Sequence, residues 1–339
     1  MTLDRAALQP TDDVGEHRHA AAILDGDRRA LARAITLIES TRSDHRAQAE
    51  SLLAELLPAT GRSIRIGISG VPGVGKSTFI EAFGLHIVAR GHRVAVITVD
   101  PSSPISGGSI LGDKTRMEKL SRHPSTYIRP SPSGGSLGGV ARRTREVILA
   151  TEAAGFDVIL VETVGVGQSE TAVAGLVDMF MLLIAPGGGD ELQGLKKGIV
   201  ELAELIVVNK ADGDLIPAAE RARRDYSAAL HLLRHGSEGW TPKVLKCSSM
   251  TGEAIDEVWE TAEAFRAAMS ASGKLEARRA EQAKAWMWDE VNEALARRLK
   301  EDAAVGALLP ELEARVQAGS VNPADAARQV LAAFGCKDE

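Results

Sequence analysis

The stretch that decides the fold is Gly70-Val71-Pro72-Gly73-Val74-Gly75-Lys76-Ser77. It matches the pattern G-x-x-x-x-G-K-[ST] completely, follows a run of β-branched residues and precedes a helix-forming segment. Glycines in this pattern let backbone N–H groups turn towards phosphate oxygens, and the following helix presents its positive end to them. The motif therefore predicts a phosphate-binding loop between a strand and a helix. A tight turn without a ligand is the alternative, and the complete match in its expected context disfavours it.

Two side chains of this motif carry the chemistry of phosphate binding. In such loops the lysine, here Lys76, reaches the β- and γ-phosphates, and the serine hydroxyl, here Ser77, holds Mg²⁺. Backbone N–H groups of the loop and of the first helical turn supply further contacts. The candidate nucleotide-binding residues of this segment are Gly73, Val74, Gly75, Lys76, Ser77 and Thr78.

Short apolar runs rich in β-branched residues recur along the middle of the chain. They cover residues 64–68, 93–99, 156–163, 179–185, 205–208 and 243–248, and helix-like segments separate most of them. This alternation is typical of βαβ units on a parallel sheet that is covered on both faces. The predicted fold is α/β: a P-loop NTPase with a mostly parallel central sheet flanked by helices, with N-terminal and C-terminal helical extensions.

Three regions are expected along the chain. Apolar residues at helical spacing predict a helical extension over residues 1–60, and the strand-and-helix alternation predicts a nucleotide-binding domain over residues 61–270. Residues 271–339 form the third region, which is helical. Its long helix carries an apolar stripe that packs either on a second copy or on its own chain; the stripe consists of Trp288, Val291, Leu295 and Leu299.

Two carboxylates are placed to complete a metal shell. Glu162 ends one predicted strand three residues before Gly165, which is similar to the D-x-x-G switch of GTPases with Glu in place of Asp. Asp100 ends another strand, and each carboxylate alone is as readily an ordinary loop cap. Together they favour a Mg²⁺ shell of Ser77, Asp100 and Glu162, with Gly165 donating its N–H to a γ-phosphate. Which of the two carboxylates contacts the ion directly stays open.

A base-recognition motif follows the predicted strand over residues 205–208. Asn209-Lys210-Ala211-Asp212 matches N-K-x-D. A carboxylate at Asp212 accepts from both N1–H and the 2-amino group of guanine, a donor pair that adenine lacks. Asn209 then supports the loop and Lys210 flanks the base, while Ser248 and Ser249 either back the pocket or belong to a plain loop. The motif predicts GTP and GDP as the bound nucleotides.

The composition excludes several other classes of protein. Forty Lys and Arg against 46 Asp and Glu give a net charge of −6. This charge lacks the excess of basic residues that is typical of nucleic-acid-binding proteins. The two cysteines are far apart in sequence, which argues against a disulfide framework and a cysteine zinc site. No apolar run approaches the ~20 residues of a membrane helix, and the first residues lack a secretory pattern. We therefore expect a soluble, cytoplasmic protein that binds neither nucleic acid nor a membrane.

The chain resembles the MeaB/ArgK family of P-loop GTPases, which act with adenosylcobalamin-dependent mutases. Generic small GTPases lack two of the segments that carry this resemblance, Asp100–Ser103 and Ser106–Met117. The others are Gly70–Thr78, Glu162–Glu170, Pro186–Asp190 and Asn209–Asp212. The resemblance implies a homodimeric GTPase that chaperones methylmalonyl-CoA mutase and regulates the loading, protection or exchange of adenosylcobalamin.

By this resemblance residues 102–116 form the first switch, 162–170 the second and 187–198 a further mobile loop. Asp113 is then the candidate for placing the attacking water. Val166 stands where some small GTPases carry a water-orienting Gln, so we expect slow hydrolysis without a partner. The residues implied to contact the partner are Gln168, Gln193, Lys196 and Lys197. From the sequence pattern alone, the two lysines are a solvated helix face.

Two other functions are compatible with a phosphate loop. A metal-insertion GTPase of related fold should carry a His-rich tract or a Cys/His cluster near the nucleotide, and the sequence has neither. A small-molecule kinase usually has no guanine specificity, which Asn209–Asp212 contradicts. A separate ambiguity concerns Arg142, Arg143 and Arg145, which are either a source of an arginine finger or an exposed helix face. The usual fate of charge runs favours the exposed face.

Overall fold

The structure is a computed structural model that describes residues 13–40, 42–99, 117–130, 137–163, 169–187, 197–233 and 239–335. The chain forms two compact units, which divide between Ala280 and Glu281. The first unit contains a sheet with its flanking helices, and the second unit is helical where it is described. The three regions expected from the sequence, with boundaries at residues 60 and 270, stay a prediction.

A parallel sheet forms the centre of the first unit. Its strands in the described residues are β1 (Ile64–Gly70), β2 (Val94–Val99), β3 (Thr126–Pro130), β4 (Val158–Thr163), β5 (Met179–Ile184), β6 (Leu205–Val208) and β7 (Lys243–Lys246). They lie in the order β3-β2-β4-β1-β5-β6-β7, and every neighbouring pair is parallel. This topology confirms the predicted fold class.

Helices precede the sheet, connect its strands and follow it. They are α1 (Asp13–Leu24), α2 (Arg28–Ile38), α3 (Ser43–Leu56), α4 (Lys76–Ala89), α5 (Glu118–Arg122), α6 (Leu137–Ala153), α7 (Ser169–Ala174), α8 (Lys197–Leu202), α9 (Ile216–Leu233), α10 (Ile255–Ala271), α11 (Lys274–Glu301), α12 (Ala303–Gln317) and α13 (Pro323–Ala333). The N-terminal helices α2 and α3 pack against α6. In the described part of the chain, no helix has the length and apolarity needed to cross a membrane.

The core explains why the central strands read as continuous apolar runs. Every residue of β1, β2, β4 and β5 is buried, because helices and loops cover the sheet. On one face, Ile66 and Ile68 of β1 share a cluster with Phe83 of α4 and Trp259 of α10. Burying a side chain of this size contributes about 1.5–3 kcal/mol.

Strand β3 is not among the apolar runs from which the sequence predicts strands. Its residues Thr126–Arg129 do carry the β-branched and aromatic signal of a strand, but the run is short and ends in Pro130. The strand lies at one edge of the sheet, where proline does not remove a hydrogen bond from a central ladder. The proline is thus compatible with an edge strand.

A buried charge cluster joins the amino end of the sheet to the start of α11. Arg65 on β1 donates from Nε and Nη2 to Glu152 at 2.8 and 2.9 Å, and Ser63 also donates to Glu152. Arg279 donates to both carboxylate oxygens of Asp178 at 2.8 and 2.6 Å. Burial alone would raise the pKa of Glu152, but the hydrogen bonds and charge of Arg65 and the Ser63 bond outweigh it and hold that pKa below its ordinary value. The cluster therefore holds the Glu152 carboxylate in its ionised form.

In the second unit, side-chain caps begin the two helices that follow α11. Asp302 accepts from the N–H groups of Ala304 and Val305 at 2.9 and 3.0 Å at the start of α12. Asn322 accepts from the N–H of Ala324 at 2.9 Å at the start of α13, where Pro323 takes the first helical position. Both helices lie within residues 271–339, the stretch that the sequence pattern predicts to be helical.

Candidate guanine-nucleotide site

The phosphate loop connects β1 to α4 and requires glycine at two close contacts. A Cβ atom at Gly70 would lie 2.5 Å from the carbonyl oxygen of Leu183 on β5. A Cβ atom at Gly75 would lie 3.0 Å from Nδ2 of Asn209, and Gly75 has a φ of +92°, which favours glycine. A side chain at Gly70 would therefore overlap the backbone of Leu183, and one at Gly75 would make a tight contact with Asn209 on a strained backbone. The first turn of α4 follows directly and contains Lys76, Ser77 and Thr78.

Lys76 lies against the loop that precedes it. Its Nζ donates a hydrogen bond of 2.6 Å to the carbonyl oxygen of Gly70. Burial lowers the pKa of Lys76, and the negative charges of Glu162 and Glu170 oppose that shift. A partly desolvated ammonium at the amino end of a helix favours an anionic ligand, because the ligand's charge compensates for the lost hydration.

Ser77 and Glu162 meet at the edge of the sheet where β1 and β4 end. The Ser77 hydroxyl faces Oε1 of Glu162 at 3.5 Å, the outer limit of a hydrogen bond, and Glu162 is only 4% exposed. Thr98 on β2 lies in register with Glu162 and is buried as well. Hydroxyl and carboxylate oxygens are the ligands that Mg²⁺ prefers, so the residues at this edge fit that ion.

Asn209 joins the base motif to the phosphate loop. Its Nδ2 donates to the carbonyl oxygen of Val74 at 3.0 Å. Its Oδ1 accepts from the backbone N–H and from the hydroxyl of Ser249, at 3.2 and 2.6 Å. The amide is buried and links three segments: the phosphate loop, the end of β6 and the turn after β7. A movement of any one of these segments would therefore alter the hydrogen bonds that Asn209 makes to the others.

The neighbouring residues of the base motif are fixed in a similar way. Lys210 has a φ of +60°, and its Nζ donates to the carbonyl oxygen of Gly73 at 2.7 Å. The hydroxyl of Ser248 donates to Oδ2 of Asp212. Because Ser248 is completely buried, its hydroxyl has a fixed position from which it orients the half-buried Asp212 carboxylate. An oriented carboxylate is able to accept two adjacent N–H donors from one ligand.

Cys247 lies beside this hydrogen-bond network and stays a thiol. Its Sγ is 3.8 Å from Oδ1 of Asn209. Burial raises the pKa of Cys247 to about 12. At neutral pH the side chain is therefore a weak donor and a small apolar group rather than a nucleophile.

Several predicted site residues lie outside the described residues. They are Asp100, Asp113, Gly165, Gln168, Gln193 and Lys196. Lys197 begins α8, but its side chain also lies outside the description. Their expected roles in the metal shell, in placing water and in contacting a partner stay predictions.

The structure corrects one interpretation and adds detail to another. Arg145 is 7% exposed, so the expectation of an exposed helix face is wrong for this residue. Arg142 and Arg145 are three residues apart and therefore share a face of α6. That spacing was the signal in the sequence that the two arginines lie on one side of the helix. Ser248 and Ser249, which the sequence leaves between a pocket and a plain loop, both hydrogen-bond to the base motif.

A protein-family model covers most of the chain. The model is described as methylmalonyl Co-A mutase-associated GTPase MeaB, and it matches residues 31–304. The matched span includes the phosphate loop, Glu162 and the base motif. Among the described residues, no group of three or more His, Cys, Asp or Glu side chains is placed to hold a metal ion.

Individual proteins with high similarity come from bacteria and from an animal. A putative GTPase of Caulobacter vibrioides is 58% identical over 321 residues, which are 94% of this chain and 97% of that protein. GTPase ArgK of Escherichia coli is 51% identical and shares 79% of this chain and 81% of its own length. The mitochondrial methylmalonic aciduria type A homolog of Mus musculus is 49% identical, over 92% of this chain and 78% of that protein. The crystal structure of a LAO/AO transport system kinase has a TM-score of 0.75 at 36% identity and covers 98% of this chain and 100% of its own.

Proposed function

Because the chain belongs to the MeaB family of methylmalonyl-CoA mutase-associated GTPases, it is a GTPase, and we propose that it acts as a chaperone of a methylmalonyl-CoA mutase. In this proposal GTP hydrolysis regulates the loading, protection or exchange of adenosylcobalamin on the mutase, and the protein works in the cytoplasm. The observation that supports a guanine-nucleotide site most strongly is the bond from Asn209 to the phosphate loop. That bond joins the base motif to the phosphate loop, which supports one nucleotide site built from both motifs.

The phosphate side of the site is proposed to work through three side chains and an ion. Lys76 exchanges its hydrogen bond to the Gly70 carbonyl for the β- and γ-phosphates. Ser77, Glu162 and Asp100 would hold Mg²⁺, which neutralises the charge that develops on the phosphate oxygens. Burial of Glu162 favours this assignment, because a buried carboxylate needs a compensating positive charge.

The base side and the attacking water complete the proposed site. Asp212 accepts N1–H and the 2-amino group of guanine, Asn209 supports the loop, and Lys210 flanks the base. Gly165 donates its N–H to the γ-phosphate, and Asp113 places the attacking water. Ser248 keeps the Asp212 carboxylate oriented between successive nucleotides, since its hydroxyl is buried and already bonded to Asp212.

The proposed mutase acts on the switch segments rather than on the base pocket. Val166 lacks the amide of a water-orienting Gln, so turnover by the isolated chain should be slow. A partner that orders Asp113, Gln168 or the loop with Gln193, Lys196 and Lys197 would complete the site. Completing such a site raises GTPase rates by about 10³–10⁵ in related systems.

The chain is further proposed to form a homodimer through α11, within a C-terminal helical region over residues 271–339. In the second unit, the side chains of Trp288 and Leu295 are 55% and 51% exposed. An apolar stripe of this kind on a helix fits a second helix. Leu295→Glu should shift the full-length chain towards the monomer in light scattering. Ala296→Glu, exposed and off the stripe, is the matched control, and equal masses for both variants would place the interface elsewhere.

The proposed function is tested by the rate of GTP hydrolysis with and without an adenosylcobalamin-dependent methylmalonyl-CoA mutase. We expect the mutase to accelerate hydrolysis by the wild-type chain. Lys196→Ala should leave GTP affinity nearly unchanged and reduce that acceleration. A wild-type chain that hydrolyses GTP equally fast with and without mutase would remove the proposed coupling, and full stimulation of Lys196→Ala would remove the role of the loop.

A further inference from the structure

Thr98 is a polar residue within an apolar strand. Strand β2 reads Val94-Ala95-Val96-Ile97-Thr98-Val99, and all of its residues are buried. Thr98 is 2% exposed, and in the part of the chain that the structure describes its Oγ1 has no hydrogen-bond partner. Buried hydroxyls almost always find a partner, because an unpaired one loses its hydration without compensation. An unpaired hydroxyl at this depth therefore has room for a partner outside the described residues.

The side chain of Thr98 lies beside that of Glu162. Alternate residues of a strand point to the same face, and Val94 and Val96 belong to the core on the α4 side of the sheet. Leu160 of β4 belongs to the same core, so Thr98 and Glu162 share that face. The two residues are paired in the parallel register of β2 and β4. Neighbouring strands are about 4.8 Å apart, so the two side chains start from adjacent backbone positions on one face, and no hydrogen bond joins the Thr98 hydroxyl to Glu162.

The surroundings of the hydroxyl are those of the proposed cation site. Glu162 also faces the Ser77 hydroxyl at 3.5 Å, and its negative charge acts on Lys76. A magnesium ion keeps several water molecules when it binds to a protein, and those waters donate hydrogen bonds to nearby acceptors. A threonine hydroxyl has two acceptor lone pairs. Thr98 belongs to β2, whereas the phosphate loop follows β1, so Thr98 is not part of that loop.

We propose that Thr98 is a positioning residue of the cation site, whose hydroxyl binds a water molecule in the coordination shell that Ser77 and Glu162 share. This inference rests on the proposed magnesium site of the GTPase and adds a residue outside the phosphate loop and the switch segments. Groups that orient ligands from outside the shell typically change metal affinity by about 10–100-fold when they are removed. Thr98 therefore sets cation affinity without touching the nucleotide.

A purely structural role for Thr98 makes the opposite prediction for stability. Thr98→Val keeps the shape of the side chain and removes only the hydroxyl. Since that hydroxyl has no partner in the described residues, the variant should unfold at the same temperature as the wild type or at a higher one. A Thr98→Val chain with a lower unfolding temperature in the absence of divalent cations would overturn the inference, because the hydroxyl would then stabilise the fold itself.

The direct test is the affinity of the full-length GDP complex for Mn²⁺, measured by electron paramagnetic resonance. Thr98→Val should bind Mn²⁺ about 10–100-fold more weakly than the wild type, and Thr98→Ser should restore the affinity because it restores the hydroxyl. GDP affinity in EDTA should be equal in all three chains. Wild-type Mn²⁺ affinity in Thr98→Val overturns the role of Thr98.

A Ser77→Ala chain separates this inference from the proposed function. If Ser77→Ala weakens Mn²⁺ binding and Thr98→Val does not, the cation site stands and the role of Thr98 is wrong. If neither substitution changes Mn²⁺ affinity, the proposed cation site is itself wrong, and the inference about Thr98 falls with it.

Discussion

Replacing Asp212 with Asn tests how the base pocket selects guanine. Asp212 is half-buried, and the buried Ser248 hydroxyl fixes one of its oxygens. The substitution keeps the size of the side chain but turns an acceptor-only carboxylate into an amide. Guanine then loses two charge-assisted hydrogen bonds, each worth about 1.5–3 kcal/mol. The sum of about 3–6 kcal/mol corresponds to a loss of about 10²–10⁴ in GDP affinity.

The same substitution should create a preference for a different base. Xanthine carries a carbonyl where guanine carries its 2-amino group, so the amide introduced by Asp212→Asn is able to donate to it. Competition of GDP, xanthosine diphosphate and ADP against a fluorescent nucleotide measures the three affinities. Asp212→Asn should bind xanthosine diphosphate more tightly than GDP.

Ser248→Ala is the matched control for this prediction. It leaves the Asp212 carboxylate in place and removes only the hydroxyl that orients it, at a cost of about 0.5–1.5 kcal/mol, or about 2–12-fold in affinity. The preference for guanine should remain. A wild-type chain that binds ADP as tightly as GDP, or an Asp212→Asn chain with unchanged GDP affinity, would refute the assignment of the base pocket.

Three further predictions concern the phosphate loop, the buried charge cluster at the amino end of the sheet, and the buried thiol of Cys247. Lys76→Ala should weaken GTP binding or turnover by about 10–100-fold without lowering the unfolding temperature, because the partly buried charge of Lys76 binds the phosphates. A Lys76→Ala chain that hydrolyses GTP at the wild-type rate would contradict that role. Glu152→Gln should lower the free energy of unfolding by about 3–5 kcal/mol at pH 7, because it leaves the buried Arg65 unpaired. The folded-state pKa of Glu152 lies below its ordinary 4.5, so its stabilisation is complete above that pH and is lost as the pH falls through the lowered value. Denaturant titrations should therefore show the gap between wild type and Glu152→Gln narrowing in acid, and a gap that stays constant to pH 3 speaks against the pair. In a Cys336→Ser chain, iodoacetamide should modify Cys247 at pH 8 only after unfolding, because a pKa of about 12 leaves almost no thiolate; rapid labelling of the folded protein, seen by mass spectrometry, would contradict its burial.

The central sheet was predictable because its strands are buried on both faces. Runs such as residues 158–161 are continuous apolar segments, and the phosphate loop predicts the strand before it and the helix after it, which are β1 and α4. Strand β3 was not predictable by the same signal, since it is short and ends in Pro130. The bounds of helix α12 were not predictable although Asp302 caps it, because Pro310 within the helix resembles a break.

The hydrogen bonds of the site depend on strand order, which the sequence pattern does not contain. Ser248 reaches Asp212, and Ser249 reaches Asn209, because β6 and β7 are neighbours in register. The bond from Asn209 to Val74 joins residues 135 positions apart. Thr98 was hidden within an apolar run, and only the register with Glu162 places it beside the proposed cation. Residue types were thus readable from the motifs, whereas their partners required the fold.

The affinity of this chain for a methylmalonyl-CoA mutase, measured by calorimetry in the GDP state and with a non-hydrolysable GTP analogue, tests the proposed function most directly. Coupling between the mutase and the nucleotide is reciprocal. A mutase that binds the GTP state more tightly must therefore raise the affinity of the chain for the GTP analogue by the same factor. We expect measurable binding that differs between the two nucleotide states, with the tighter complex in the GTP-analogue state. The absence of binding in both states, or equal affinity in both, would contradict a GTP-regulated chaperone of the mutase.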